Sequence, residues 1–306
     1  MLQRACYARR KQSRRQTTIL GEMATSRMPA LFIGHGSPMN TLELNGFTRA
    51  WRAMGTKLPR PRAILAVSAH WYIGATAVTA MAKPRTIHDF YGFPRPLFEF
   101  EYPASGSPQV AQEVIEAVRP NWVGSDRDEW GLDHGTWSVL AHLFPKADIP
   151  VVQLSINASQ PLAYHFDLGA RLASLRDRGI LVLSSGNVVH NLRLIEWDRP
   201  TDGADWAHRF DEAAVAQMTD GPSAIARLAE HPDFAKAVPT LEHFIPLLYT
   251  AGLAAAEGRC QPLIRSYSLG SISMTCYNVG PDLDLPDEAE GVADLPGDVP
   301  PDQTNT

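Results

Sequence analysis

The sequence has few cysteines, no long apolar run and no excess of positive charge. Cys6, Cys260 and Cys276 are odd in number and lack paired metal-ligand spacing, so neither a disulfide framework nor a zinc ribbon is indicated. No apolar run approaches the roughly 18 to 20 residues that cross a bilayer. A net charge of −5, with no basic cluster in the body, argues against nucleic acid. We therefore expect a soluble cytoplasmic protein without membrane or nucleic-acid partners.

The two ends of the chain differ in charge from its body. Residues 1–28 carry seven Lys/Arg and one Glu, and they have no apolar segment of a secretory signal. We interpret them as a disordered extension or an overlong gene start. Residues 281–306 carry eight acidic residues and no basic one, which predicts a disordered acidic tail. A single folded domain is expected over 29–280.

Apolar runs and amphipathic stretches alternate along this body. The runs expected to be strands are "ALFI", "RAILAVSAHW", "TAVTA", "IPVVQLSI", "GILVLSSG" and "SISMTCYNV". Helices are predicted at 41–54, 107–118, 135–144, 161–178, 204–218 and 240–254. The alternation predicts an α/β fold in which a central, mostly parallel or mixed sheet is covered by helices on both faces.

One long connection, residues 81–106, is rich in proline and aromatics and matches neither helix nor strand. Long loops in a compact domain are usually functional. Two interpretations stay open here, a substrate wall and an aromatic mini-core.

Four histidines occupy related places. His35, His70 and His190 lie at or just beyond the carboxyl ends of predicted strands, and His243 lies at a predicted helix start. Any one of them could simply bond a backbone carbonyl. Their joint placement at the edge where α/β sheets bind ligands predicts a transition-metal site, because imidazole nitrogen suits such ions.

A fifth histidine, His134, precedes the predicted helix 135–144, with Asp133 as a possible cap. The helix dipole disfavours a charged imidazole there, so we expect a neutral hydrogen-bonding group. The histidines in or beside helices are interpreted as surface or structural residues: His142, His165, His208 and His231.

Taken together, "GHGSPMN", "SAHW", "IHDFYGFP", "GLDHGTWSVL", "SSGNVVHNL" and "EHFIPLL" resemble the class III extradiol ring-cleavage dioxygenases, in their DOPA 4,5-dioxygenase-like branch. The likeness runs from about Pro29 to Tyr277. It implies a catalytic domain with one metal ion in the crevice, Fe(II) for catalysis, although isolated members of this branch resemble zinc-binding proteins.

The resemblance also assigns roles to residues. His35, His70 and His243 match metal-ligand positions. His190 matches the acid/base of ring opening and would be a further ligand in a zinc-bound form, while His134 matches a substrate-pocket histidine. The substrate loop "IHDFYGFP" supplies the residues expected to bind substrate: His88, Asp89, Phe90 and Tyr91.

Glu242 and His243 present a choice, because better-known class III enzymes use two histidines and a glutamate. We expect Thr240 to cap a helix, which puts Glu242 in its first turn and turns His243 towards the sheet. We therefore predict His243 as the ligand and Glu242 as a capping or supporting group.

The resemblance implies O₂-dependent extradiol cleavage of a DOPA-like catechol to a muconic semialdehyde-type product. Two alternatives remain. The same histidines could hold Zn²⁺ in a hydrolase with Glu242 as base, or the scaffold could serve as a non-catalytic metal-binding interaction protein.

Overall fold

The computed structural model describes residues 27–257, 260–285, 291–297 and 299–305. Its α-helices are α1 Gly46–Lys57, α2 Arg95–Phe98, α3 Pro108–Ala117, α4 His134–Leu143, α5 Leu162–Arg176, α6 Asp205–Asp220, α7 Phe234–Ala237 and α8 Ile245–Glu257. Its strands are β1 Ala30–Gly34, β2 Ala63–Ile73, β3 Ala77–Thr79, β4 Arg85–Thr86, β5 Gly124–Asp126, β6 Gly131–Leu132, β7 Val151–Asn157, β8 Ile180–Gly186, β9 Gln261–Ile264, β10 Tyr267–Ser268, β11 Ile272–Ser273 and β12 Cys276–Val279. Four 3-10 helices lie at Pro38–Thr41, Leu192–Leu194, Pro222–Glu230 and Pro301–Gln303.

Eight of the strands form one mixed sheet in the order β5-β3-β7-β2-β8-β1-β12-β9. The central four strands, β7, β2, β8 and β1, are parallel, and β12 runs antiparallel beside β1. Because β8 lies between β1 and β2, the carboxyl ends of these three strands meet at one edge of the sheet. The predicted class and sheet are therefore confirmed.

Alternate residues of the central strands face two separate hydrophobic cores. Phe32 and Leu65 face a core shared with α5 and α8, whereas Leu31 and Ile64 face a core shared with α1 and α4. Strands covered on both faces need apolar side chains on both sides, which explains the nearly continuous apolar runs. Helices thus cover both faces, as predicted.

Two elements near the predicted site differ from expectation. The helix predicted from Thr240 begins at Ile245, so Glu242 and His243 lie in a turn before α8. The strand expected to end near His70 continues to Ile73, but its pairing with β8 stops at Ser68. His70 is therefore inside a strand, past its pairing with β8 and within the irregular stretch between Val67 and Tyr72 of its pairing with β7.

The chain ends contact the body where the structure describes them. The backbone N–H of Met28 donates to Arg176 O at 3.1 Å, and Arg176 Nε donates back to Met28 O at 2.6 Å. In the tail, Ser37 Oγ donates to Asp294 O at 2.7 Å. Described residues of the tail thus contact the body, while most of the predicted N-terminal extension, residues 1–26, lies outside the described residues. The disorder expected at both ends stays a prediction. Among the described residues, no helix is both long and apolar enough to cross a membrane.

Candidate active site

Five histidines meet at the carboxyl edge of the central sheet. His35 follows β1, His70 lies in β2 past its pairing with β8, and His190 comes shortly after β8. His134 is the first residue of α4, and His243 lies in the turn before α8. We refer to these five residues as the histidine cluster.

Three of the rings form a nearly equilateral triangle. The ring centres are 5.2 Å apart for His35 and His70, 5.4 Å for His35 and His243, and 5.1 Å for His70 and His243. With metal–nitrogen bonds of about 2.1 Å, tetrahedral co-ligands have ring centres about 5.2 Å apart. The three predicted ligands therefore have the spacing of imidazoles around one ion.

The hydrogen bonds of His35 and His70 leave two lone pairs facing each other. Ser185 Oγ donates to Gly135 O at 2.5 Å and so accepts from His35 Nδ1 at 3.0 Å. Asp89 Oδ2 lies 3.3 Å from His70 Nδ1, which favours a proton on that nitrogen. Both Nε2 atoms are then unprotonated, and they lie 3.2 Å apart. A cation between them removes the repulsion, so this pair of residues fits a metal ion.

Burial keeps these two imidazoles neutral. It lowers the pKa of His35 and of His70 well below the ordinary value of 6.5, and the neighbouring imidazoles lower both further. Neutral imidazole is the form that binds a metal, because the ring nitrogen then keeps its lone pair.

His134 forms a second possible grouping with the same pair. Ring nitrogens of His35, His70 and His134 all lie within 4.8 Å of one another. However, the ring centres of His70 and His134 are only 3.8 Å apart. Co-ligands at a right angle are about 4.5 Å apart at this bond length, so the His134 ring is too close to His70 to share an ion with it in this pose. We therefore favour the triangle that contains His243.

His190 stacks on His243, with ring centres 3.6 Å apart and planes inclined by 8°. Two parallel stacked rings do not have one ion in both of their planes, so this pose does not offer His190 as a ligand beside His243. The structure instead places His190 next to the triangle, on a cavity of about 270 Å³ that both rings line. That is a suitable position for a group that exchanges protons with a bound molecule.

Asp89 connects the substrate loop to the histidine cluster. Its Oδ1 accepts from the backbone N–H of His134 at 3.1 Å and from His134 Nδ1 at 2.9 Å, while Oδ2 contacts His70 as described above. Burial alone would raise the pKa of Asp89, but the contacts with His134 outweigh burial and hold it below the usual value. In this structure the Asp89 carboxylate orients two imidazoles, and its predicted contact with substrate stays a prediction.

The other predicted substrate residues have structural contacts. His88 Nε2 donates to Phe100 O at 2.9 Å. Phe90 is buried and packs edge-on against His134, with ring centres 5.5 Å apart. Tyr91 is exposed, and its backbone N–H donates to Thr304 O at 3.0 Å. None of the three lines the cavity beside His190. The loop packs as an aromatic mini-core here, and the substrate contacts predicted for these residues stay a prediction.

Glu242 supports His243 from the side opposite the cluster. Glu242 Oε1 accepts from His243 Nδ1 at 3.3 Å and from Thr240 Oγ1 at 2.5 Å. Burial would raise the pKa of Glu242, but the hydrogen bond and charge of His243 lower it to about 2. His243 Nε2 is buried without a partner in the described structure. Thr240 caps no helix, but a supporting role for Glu242 agrees with this geometry.

Two glycines permit the close approach of these elements. A Cβ on Gly135 would lie 2.8 Å from His70 Cδ2, and a Cβ on Gly186 would lie 2.3 Å from the carbonyl oxygen of His243. Any side chain at either position would displace a histidine of the cluster. Asn187 and Asn191, which follow β8, donate to backbone carbonyls rather than to the cluster.

Ser185 is a contributor that the sequence reasoning missed. It precedes Gly186 at the end of β8 and pairs with Ile33 in β1, two residues before His35. Its position beside a strand-end histidine in the parallel register was the available signal. The contact itself depends on the sheet order, which the sequence pattern did not provide.

The fold and this cluster define a metal-site protein of the α/β class, and a family comparison identifies it further. Residues 27–277 match the family described as the catalytic LigB subunit of aromatic ring-opening dioxygenase, and the chain belongs to that family. It is an extradiol aromatic ring-opening dioxygenase. The resemblance seen in the sequence is therefore confirmed.

The relatives include proteins named 4,5-DOPA dioxygenase extradiol. That of Escherichia coli K12 is 47% identical over 262 residues, covering 84% of this chain and 97% of the relative. That of Beta vulgaris is 33% identical over 263 residues, covering 80% and 94%. A crystal structure of an Escherichia coli K12 protein, titled uncharacterized, has 43% identity and a TM-score of 0.73, and covers 83% of this chain and 100% of that one.

Proposed function

We propose that this protein cleaves a DOPA-like catechol with O₂ and releases a muconic semialdehyde-type product. The observation that carries the proposal is the pair of facing Nε2 lone pairs on His35 and His70, closed into a triangle by His243. Three protein ligands leave positions for both catechol oxygens and O₂ on a six-coordinate ion. The names of the relatives support DOPA as the type of substrate.

In this proposal His35, His70 and His243 hold the metal, Fe(II) in the active enzyme and zinc in protein isolated with that ion. Bound there, Fe(II) supplies coordination positions and redox chemistry for catechol and O₂. An all-imidazole set also accepts zinc. The site residues themselves bind the ion, orient the substrate and move protons.

His190 is the proposed acid/base. It lies on the cavity beside the triangle, and an imidazole can take a phenolic proton on substrate binding and return it during ring opening. His134 is the proposed substrate-pocket histidine. Because its Nδ1 donates to Asp89, a neutral ring keeps its lone pair on Nε2, which accepts a hydrogen bond from a substrate hydroxyl rather than donating one.

The zinc-hydrolase alternative needs Glu242 as a free base. Glu242 Oε1 already accepts from His243 and Thr240, so no observation favours that role. A non-catalytic binding role receives no support either, since every predicted ligand is present. We place the reaction in the cytoplasm, in agreement with the buried free thiols of Cys260 and Cys276.

The test is anaerobic loading with Fe(II), followed by a panel of catechols with and without a side chain. We expect O₂ uptake, and a yellow product in equal amount, from the iron protein and not from the zinc protein. A His70→Ala variant treated in the same way is the control for free iron. Loaded protein that consumes no O₂ with any catechol would contradict the proposal, and ester hydrolysis by the zinc form would favour the alternative.

A further inference from the structure

The cavity beside His190 and His243 has one positively charged side chain on its wall. Arg193, in the 3-10 helix Leu192–Leu194, lines this cavity of about 270 Å³. The other charged groups among its described lining residues, the histidines aside, are Glu242 and Asp302, both acidic. Arg193 therefore decides whether the wall can accept an anionic group.

Arg193 is at present paired with a carboxylate of its own chain. Its Nε donates to Asp302 Oδ2 at 3.1 Å, and the Arg193 side chain is 78% exposed. Exposed ion pairs of this kind contribute little, commonly less than about 1 kcal/mol. A carboxylate carried by a bound substrate can therefore replace Asp302 at small cost.

Asp302 belongs to a segment that crosses the cavity. Residues 299–305, here called the C-terminal strap, lie outside the 27–277 family match. The strap is held at the substrate loop, where Thr304 O accepts from Tyr91 N–H at 3.0 Å and Asn305 Nδ2 donates to Asp89 O. Asp302 and Asn305 both line the cavity. The strap thus brings a carboxylate to the rim of the space that a catechol would occupy.

We propose that Arg193 binds the side-chain carboxylate of the substrate, and that Asp302 is an exchangeable internal competitor for it. This inference rests on the proposed function and deepens it, because it names the residue that would recognise the carboxylate of a DOPA-like catechol. The guanidinium suits the role, since its planar set of N–H donors matches a carboxylate. Arg193 lines the same cavity as His190 and His243, so a substrate side chain that enters this cavity can meet the guanidinium.

The first test compares two catechols of similar size, 3-(3,4-dihydroxyphenyl)propionate and 4-ethylcatechol, on the iron-loaded enzyme. Arg193→Met is expected to raise KM for the acid about fivefold, the upper magnitude for an exposed ion pair, and to change KM for 4-ethylcatechol less than twofold. Arg193→Lys should raise KM for the acid less than Arg193→Met does, because lysine keeps the positive charge. Arg209→Met is the matched control, because Arg209 makes an exposed pair with Asp233 at 2.8 Å and does not line the cavity.

The second test addresses the competitor. Asp302→Asn should lower KM for the acid about two- to fivefold, the magnitude expected for an exposed ion pair. Asp302→Asn should leave KM for 4-ethylcatechol unchanged. In a protein that already carries Arg193→Met, it should also leave KM for the acid unchanged. An equal change for both catechols would contradict competition and indicate a strap that only blocks entry.

A binding measurement separates this inference from the proposed function. Zinc-loaded protein is titrated with the same two catechols under anaerobic conditions, where turnover does not interfere. Weaker binding of the acid alone in Arg193→Met supports the inference even if no iron form turns over a catechol. If Arg193→Met binds and cleaves both compounds as the parent does, the inference is wrong while the proposed function stands.

Discussion

Two of the buried polar clusters in the described structure differ in how completely their atoms are paired. In the first, the Asp211 carboxylate accepts from Ser273 Oγ at 2.6 Å, Thr275 Oγ1 at 2.8 Å and Tyr267 OH at 3.3 Å. Burial raises the pKa of Asp211, and these three hydrogen bonds oppose the rise. Every oxygen of this cluster has a partner. It joins α6 to β10, to β11 and to Thr275, the residue before β12.

The histidine cluster is left incomplete by protein atoms alone. The Nε2 atoms of His134 and His243 are buried without partners, and those of His35 and His70 face each other. Unpaired buried polar atoms cost stability unless another group satisfies them. The comparison shows that a closed polar cluster holds elements together, whereas an open one keeps binding capacity.

Removing either facing imidazole should abolish metal binding. We expect the metal content to fall from about one ion per chain in the parent protein to below about 0.1 ion per chain in His35→Ala and in His70→Ala. The reason is that each side chain supplies a direct bond to the metal. Elemental analysis of the purified variants measures this. The control is His165→Ala, since His165 is buried but bonds Tyr249 OH outside the cluster. Unchanged metal stoichiometry in both cluster variants would overturn the site assignment.

Removing the proposed acid/base should leave the metal in place. His190→Ala is expected to lower kcat by about 10² to 10⁴, the usual contribution of a positioned proton-transfer group. Metal content should match the parent protein, because the stacked His190 ring is not a ligand in this geometry. Turnover at the parent rate with iron bound would assign proton transfer to another residue.

The third ligand and its supporting carboxylate can be separated by a set of three variants. His243→Ala should lose the ion, Glu242→Gln should weaken metal affinity about 10- to 100-fold, and His134→Ala should keep the ion. Competition with a chelator gives the affinities. Loss of metal in His134→Ala with retention in His243→Ala would favour the second grouping around His35 and His70.

Substitutions in the Asp211 cluster should change the stability of the protein and leave its metal content unchanged. Asp211→Ala leaves three buried hydroxyls without their acceptor, so we expect the free energy of unfolding to fall by about 2–4 kcal/mol. Asp211→Asn retains one acceptor oxygen and should lose less. Urea titration measures both variants. Folded Asp211→Asn that had lost its metal would show that the two clusters are not independent.

Local sequence patterns were sufficient to predict that a central sheet exists and that several histidines lie at the ends of its strands. They did not give the order of the strands. β-branched apolar runs marked the central strands, and parallel strands with buried faces bring their carboxyl ends together. His35 and His190 could therefore be placed at one edge. The start of α8 was predicted five residues too early, from Thr240 instead of Ile245. Pro246 was the better signal, because proline lacks an N–H and suits the first turn of a helix.

The partners of the rings could not be predicted in the same way. Asp89 and His134 are separated by 45 positions, and no periodicity relates a loop residue to a helix start. The path of residues 81–106 is set by aromatic packing, such as that of Phe90 and Phe100 on Trp137, which depends on the finished fold. Long-range contacts of this kind follow from tertiary packing and leave no local trace.

The position of Asp89 has a consequence for redesign of the enzyme. This one carboxylate contacts both His70 and His134, yet it belongs to the loop that a protein engineer would exchange to change substrate preference. With His70 as a metal ligand, as proposed, we expect loop replacement to change metal affinity as well as substrate preference. A grafted loop would have to supply an acid at position 89 before any gain in selectivity could be observed, and libraries randomised across 88–91 would mostly yield proteins depleted in metal.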